Sequence, residues 1–262
     1  MATSSDERRA PACAWTFYLG THEVGWLARE VGPLFVSHRR LALRATLPRA
    51  ATRWALDSGG FTELAMHGQW RTTPEQYVEA TRRYAAEVGR LDWAAPMDWM
   101  CEPAMRARTG LSVEDHQRRT VANFLDLRER APELPYVPVL QGWTRRDYER
   151  CVALYEAAGV DLRRAPRVGV GSICRRQATA EVEQIVWALA GAGLSLHGFG
   201  VKTRGLISVA GALSSADSMA WSYRARHDEP LPGCRHRRCS NCIRYAVRWR
   251  NHLVARACPN CV

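Results

Sequence analysis

Eight short apolar runs recur along the chain, and helical patterns separate most of them. The runs cover 16–20, 33–37, 53–57, 91–98, 136–141, 167–172, 195–201 and 215–221. Several are almost continuously apolar, as strands buried on both faces must be. The stretches between them carry helix start signals. Thr73-Pro74-Glu75-Gln76 sets a cap, a first-turn proline and a capping-box glutamine in order, and Gly89 follows as a stop. Ser112 with Asp115, and Thr144 with Asp147, repeat the pairing of a cap with a first-turn acid. Thr179 starts a helix ending near Gly191 or Gly193. The segments 39–49 and 206–213 are weakly signalled.

This alternation predicts a (β/α)8 TIM barrel, whose usual length is about 250 residues. The chain has 262. An open doubly wound sheet would normally place a glycine-rich phosphate turn after its first strand, and Tyr18-Leu-Gly-Thr-His is not one. In either fold the functional groups sit at the C-terminal ends of the strands. Asp57, Asp98, Gln141, Ser172 and Asp217 fall there. A lone acid at such a place is most often a helix cap; five polar groups at five strand ends point to a site.

Charge narrows the partners. The 37 Lys and Arg against 26 Asp and Glu leave a net +11, which favours a polyanion, nucleic acid first and a membrane surface second. The polar N-terminus has no apolar signal-peptide core, and the longest apolar run, 185–196, is too short to span a bilayer. The expected location is therefore the cytoplasm, with no membrane partner. Disulfides are rare there.

The cysteines then need another role. Cys239-x2-Cys242 and Cys258-x2-Cys261 together have four-cysteine zinc spacing. The stretch 243–257 between them lacks Gly and Pro and reads as a helix about 20 Å long, too long for the short remainder to turn back across. A local set fits better: Cys234, His236, Cys239 and Cys242, four ligands for a closed, structural tetrahedral zinc. A pair drawn from Cys258 and Cys261 is the alternative. These observations divide the chain into a barrel over 1–222 and a basic Cys/His segment with a C-terminal helix over 223–262.

Asp57-Ser58-Gly59-Gly60-Phe61 resembles the signature of the guanine transglycosylases, of the queuine/archaeosine tRNA-ribosyltransferase type. The likeness continues in order through Asp98 with Glu102-Pro103, Val139-Leu-Gln141-Gly142, Gly171-Ser172, Leu196-His-Gly198-Phe-Gly200, Asp217, and Cys239-x2-Cys242 with its helix. It covers roughly residues 53–256. The chain departs from the tRNA enzymes in being compact, in having Ser218-Met-Ala-Trp-Ser222 in place of a Pro-Thr-Arg turn, and in placing His197 where a methionine packs on the base. In these features it resembles the DpdA-like branch, in which phages and mobile elements place 7-deazaguanines in DNA.

The resemblance implies a pentosyl transfer in which DNA guanine is exchanged for a free 7-deazaguanine base such as 7-cyano-7-deazaguanine. Asp217 is then the nucleophile and Asp57 the general acid/base. Asp98, Gln141, Ser58, Gly171 and Ser172 bind the base edge, Phe61 stacks on its face, and His197 either stacks opposite or, as a lone histidine at a strand end, serves as a structural hydrogen-bonder. Two alternatives stay open: the same exchange on tRNA, and a basic zinc protein that binds nucleic acid without catalysis. A homodimer or an accessory DNA-binding partner is compatible with either enzyme reading.

Overall fold

The computed structural model describes residues 15–174, 176 and 179–257. Among them eight strands form one parallel sheet: β1 (Thr16–Thr21), β2 (Leu34–Ser37), β3 (Trp54–Asp57), β4 (Leu91–Ala94), β5 (Val139–Leu140), β6 (Val168–Val170), β7 (Leu196–Gly198) and β8 (Ser215–Ser218). The strand order is β4-β3-β2-β1-β8-β7-β6-β5. Every strand pairs with its sequence neighbours except β4 and β5, which form the two edges, and β8 returns to pair with β1. The sheet is curled. Its two edges approach at Ala94 and Tyr136, where Ala94 N–H donates to Pro135 O at 3.0 Å and Val137 N–H donates to Ala94 O at 3.1 Å.

Parallel neighbours cannot be joined by tight turns, so the chain must cross over between them. The crossovers carry α1 (His38–Leu41), α2 (Gly60–His67), α3 (Pro74–Glu87), α4 (Pro103–Thr109), α5 (Val113–Arg130), α6 (Arg145–Ala157), α7 (Ala180–Gly191) and α8 (Thr203–Val209). After β8 come α9 (Ala220–Arg224) and α10 (Ile243–Ala257). The caps expected at Thr73, Ser112 and Thr144 form complete capping boxes, and Thr179 accepts from Val182 N–H. Each satisfies backbone donors that the first helical turn leaves unpaired.

Three segments differ from the sequence reading. The run 91–98 leaves the sheet after Ala94, because Pro96 has no N–H to give a ladder. The run 215–221 ends as a strand at Ser218. Trp221 instead turns into α9, stacks on Trp26 at 5.3 Å, and donates its indole N–H to Gly20 O at 2.8 Å. The weakly signalled stretch after β2 yields only the single turn α1, in which Leu41 alone is buried.

Side-chain alternation sorts the strands into two faces. Leu19, Leu34, Val36, Trp54, Leu56 and Ala216 join the large core beneath the helices. Tyr18, Phe35, Ala55 and Trp93 point the other way and fill the hollow of the curl with Ala95 and Val137. Asp57 is two residues beyond Ala55, and Asp217 is one residue beyond Ala216. Both carboxylates therefore belong to the inner face. The helix α10 packs back on the large core through Ala246 and Leu253, and its Trp249 sits 6.1 Å from Phe17. No helix among the described residues is long and apolar enough to cross a membrane.

Replacing Thr73 by Ala removes the side-chain half of the α3 capping box. Urea unfolding should show a loss of about 1 kcal/mol; an unchanged midpoint would mean that the box adds nothing in solution.

Candidate active site

The inner face opens at the C-terminal end of the sheet into a cavity of about 270 Å³. That is near the lower end of ligand pockets, roughly 300–1,000 Å³, so it suits a compact, base-sized molecule. Asp57, Asp98 and Asp217 all line it. Among the described residues none of the three forms an ion pair with Lys or Arg; the nearest ionisable partner is His197, beside Asp217.

One wall is a hydrogen-bond chain built from four separate crossovers. Gln141 donates from Nε2 to Asp98 Oδ2 at 2.5 Å, and Ser58 Oγ lies 3.4 Å from Asp98 Oδ1. Ser172 Oγ accepts from Cys101 N–H at 2.7 Å. Its single proton faces Gln141 Oε1 at 2.6 Å and Glu102 Oε2 at 3.1 Å. The bond to Gln141 fixes which end of that amide faces Asp98. Ser172 holds this place with φ at 57°, a left-handed conformation that a serine seldom adopts without a local constraint. Gly171 beside it has no room for a side chain: an added Cβ would lie 2.3 Å from Gln141 Nε2.

Asp57 ends β3 at the opposite side of the wall. Its Oδ1 accepts from Gly59 N–H at 3.1 Å, a turn that needs the left-handed φ of +80° at Gly59. Asp217 Oδ1 accepts from Gly200 N–H at 2.9 Å and lies 3.3 Å from His197 Nε2. Burial in this largely apolar cavity pushes all three acids upward. Asp98 rises to about 7, chiefly from desolvation, next from the charge of Asp57, against the pull of Gln141. Asp217 rises to about 7 by desolvation, opposed by the Gly200 N–H. Asp57 moves up by desolvation, with the Asp217 charge adding and the Gly59 and Ser37 bonds opposing. Near neutral pH the cavity holds carboxyl groups that can give or take a proton.

The structure brings Asp57, Ser58, Phe61, Asp98, Gln141, Gly171, Ser172 and Asp217 to one cavity. Asp98 arrives from the loop past β4 rather than from a strand end. Of the two roles open to His197, the structure places it as a buried hydrogen-bonder and not as a ring stacked across the cavity. It is fully buried, its inward position on β7 puts it beneath Asp217, and Trp93 and Phe199 close around its ring at 4.5 and 4.8 Å. Phe199, two residues further on, lines the cavity instead. The sequence reading left Phe199, Cys174 and Met219 out of the site, and named Glu102 only as part of the Asp98 segment. The signal for Glu102 was an acid directly before Pro103, at a helix start four residues past Asp98.

A second cluster lies below α9. The ligand atoms of Cys234, His236, Cys239 and Cys242 all lie within 4.8 Å of one another. Cys234 Sγ is 3.9 Å from Cys242 Sγ, and His236 Nε2 is 3.1 Å from Cys239 Sγ. A tetrahedral ion with bonds near 2.3 Å would separate two sulfurs by roughly 3.8 Å, so the donor set and its spacing fit a metal ion. Leu231 N–H donates to Cys239 Sγ at 3.4 Å, the kind of outer bond that orients a thiolate ligand. Ser222 Oγ donates to Ser240 O at 2.8 Å and ties this loop to α9, the helix that follows Asp217. Cys13, Cys258 and Cys261 lie outside the described residues.

The basic residues divide. Arg224 pairs with Asp228, and Arg250 donates to Val31 O, so these two serve the fold. Arg235, Arg237, Arg238 and Arg248 are exposed. Arg39 lies against Gly59 at the cavity side. Arg176 covers one face of Trp143 at 4.2 Å, which removes that face from stacking.

A family model described as DpdA, DeoxyPurine in DNA protein A, matches residues 14–262. No curated protein matches the chain. Among solved structures, one described as a fructose-1,6-biphosphate aldolase from Coccidioides immitis aligns over 94% of this chain and 92% of its own, at 10% identity and a TM-score of 0.48. That likeness is too loose to carry an argument.

The upward shift of Asp217 sets a pH dependence with a definite sign. Below about pH 4 the carboxyl is protonated in both folded and unfolded chains and costs nothing. Between about pH 4 and the folded value of about 7 the unfolded chain ionises first, and the folded state loses stability. Asp217→Asn should therefore raise the Tm at pH 8, by a stability gain of the order of 2–4 kcal/mol, and the gain should shrink towards zero at pH 4. Calorimetry across this range checks it; an equal effect at both ends would mean that Asp217 ionises normally.

Proposed function

The chain belongs to the DpdA family, DeoxyPurine in DNA protein A, within the transglycosylase superfamily, and from that premise we propose that it exchanges guanine in DNA for a 7-deazaguanine base through a covalent aspartyl-glycosyl intermediate. The observation that carries this reading is a single one. Two carboxyl groups from distant strands, Asp57 and Asp217, line one base-sized cavity beside the Asp98–Gln141–Ser172 hydrogen-bond wall.

The chemistry needs two displacements at one anomeric carbon if the sugar is to keep its configuration. In the first, an oxygen of ionised Asp217 attacks C1′ of a deoxyguanosine swung out of the duplex. The bond from C1′ to guanine N9 breaks, and protonated Asp57 gives its proton to the departing base. In the second, Asp57, now a carboxylate, removes the N9 proton of the incoming 7-deazaguanine. That nitrogen attacks C1′, and Asp217 leaves as a carboxylate. Acids raised above the usual carboxylate range suit both halves of this exchange. Asp98 would accept from the N–H edge of the guanine ring, Gln141 and Ser172 would hold Asp98 in line, and Phe61 would supply a stacking face of the kind used for extruded bases.

We read the curled sheet as a (β/α)8 barrel closed at Ala94 and Tyr136, spanning 1–222, with 223–262 as a basic accessory segment working in the cytoplasm. Cys234, His236, Cys239 and Cys242 would hold zinc, which would close this loop on itself at the start of α10 and supply no reacting group. The exposed Arg235, Arg237 and Arg238 in that loop would meet phosphates and position the strand over the cavity.

Incubation with duplex DNA should give a protein–DNA adduct that survives denaturation, and Asp217→Ala should give none. Asp57→Asn should slow guanine exchange by about 10²-fold or more with binding nearly unchanged. Exchange of labelled guanine into tRNA but not DNA would overturn the substrate; absence of any adduct would overturn the covalent step. Elemental analysis should find one zinc per chain, and Cys239→Ser should lose it together with several degrees of Tm.

A further inference from the structure

A polar chain runs beneath the cavity floor, through an otherwise aromatic interior. Arg167, at the foot of β6, sends its guanidinium over the rings of Tyr18 and Trp93, 5.4 Å from each centroid, and donates to Ser215 Oγ. Ser215 Oγ lies 2.9 Å from His197 Nδ1, and His197 Nε2 lies 3.3 Å from Asp217 Oδ1. The Gly200 N–H reaches the same Oδ1. Oδ2 of Asp217 accepts no hydrogen bond from any other of the described residues.

Proton counting fixes the direction of this chain. A guanidinium only donates, so Ser215 Oγ uses a lone pair on Arg167 and keeps one proton to give. Among the described residues its acceptor is His197 Nδ1. Burial, and then the charge of Arg167, hold His197 well below its usual range, so the ring is neutral and has one N–H. With Nδ1 accepting, that N–H is on Nε2 and faces Asp217. The opposite tautomer would strand the Ser215 proton and aim the Nε2 lone pair at a carboxyl oxygen. A proton on Asp217 Oδ1 cannot rescue it well, because Oδ1 already accepts from Gly200. Among the described residues the other ionisable groups of the cavity are Asp57 from β3, Asp98 and Glu102 past β4 and Cys174 past β6, and Tyr18 of β1 lies in register with Asp217; none of them hydrogen-bonds to His197.

We propose that Arg167 and Ser215 are positioning residues that hold His197 as its Nε2–H tautomer, and that His197 pins Oδ1 of Asp217 so that Oδ2 is the atom offered to the anomeric carbon. This rests on the transglycosylase reading. Two donors on one oxygen stop the carboxyl from rotating. They also stabilise the carboxylate that must leave when the second base attacks, so their effect falls on both displacements.

Two measurements test it. Nitrogen NMR of the imidazole in the wild-type protein should show Nε2 protonated and Nδ1 bare from pH 6 to 8, and Ser215→Ala should give a mixture of tautomers. In single-turnover adduct formation, His197→Leu should be at least 10-fold slower, with its acid limb moved up by about one pH unit as a donor to the carboxylate is lost. His197→Gln places an amide N–H near the Nε2 position and should recover the rate to within a few-fold and restore the limb. An Nδ1–H tautomer in the wild type would overturn the inference, as would Leu and Gln variants slowed equally with an unmoved limb. If wild type forms no adduct at all, the transglycosylase reading fails, and the tautomer measurement alone decides the chain from Arg167 to Asp217.

Discussion

Three carboxyl groups share one cavity without a lysine or arginine ion-paired to any of them among the described residues. Burying a carboxylate is costly unless it is paired or protonated, and two such charges side by side cost more. The structure answers with neutral donors instead of cations: the N–H groups of Gly59 and Gly200, the Gln141 amide, and the hydroxyls of Ser37 and Ser58. Neutral donors lower the cost only in part, so the acids stay above the usual carboxylate range. A lysine or arginine in their place would hold them ionised and remove their capacity to exchange protons. The Arg167 guanidinium, which enters the interior, reaches Asp217 only through two intervening residues, Ser215 and His197.

The scaffold follows from that demand. Acids from β3 and β8 and the loop past β4 meet only if the sheet curls and if their strands present the same face. The pleat provides the second condition, since Asp57 shares a face with Ala55 and Asp217 with Ser215. The aromatic filling of Tyr18, Phe35 and Trp93 provides a dry floor, which is what raises the acids. Beyond β8 the chain turns sharply into α9, with Trp221 anchored on Trp26 and Gly20. The Cys/His loop then holds α9 through Ser222, so a cluster outside the cavity lining steadies the strand that carries Asp217.

Much of this was legible in the chain itself. Apolar runs and caps located the strands and the well-capped helices, since Thr73, Ser112, Thr144 and Thr179 write their helix starts locally. Asp57 and Asp217 were legible because an acid ending an apolar run is conspicuous. The two roles of His197 stay open in the sequence because alternation along β7 decides whether it faces the cavity or lies below it, and a three-residue strand gives too few positions to set the phase. Arg167 and Ser215 were invisible as a pair. Their contact joins β6 to β8 across the interior, and nothing near either residue announces it. Glu102 was half visible, as an acid before a proline, but its burial depends on Ser172 and Cys174 from another crossover.

The protonation of the cavity acids is the point from which the rest follows. Carbon-detected NMR of the aspartate carboxyls, assigned with Asp98→Asn and Asp217→Asn, measures it directly in the free protein. The account predicts that the signals of Asp98 and Asp217 still belong to protonated acids at pH 6 and change over near pH 7. Both carboxyls fully ionised by pH 5, like ordinary surface aspartates, would contradict it.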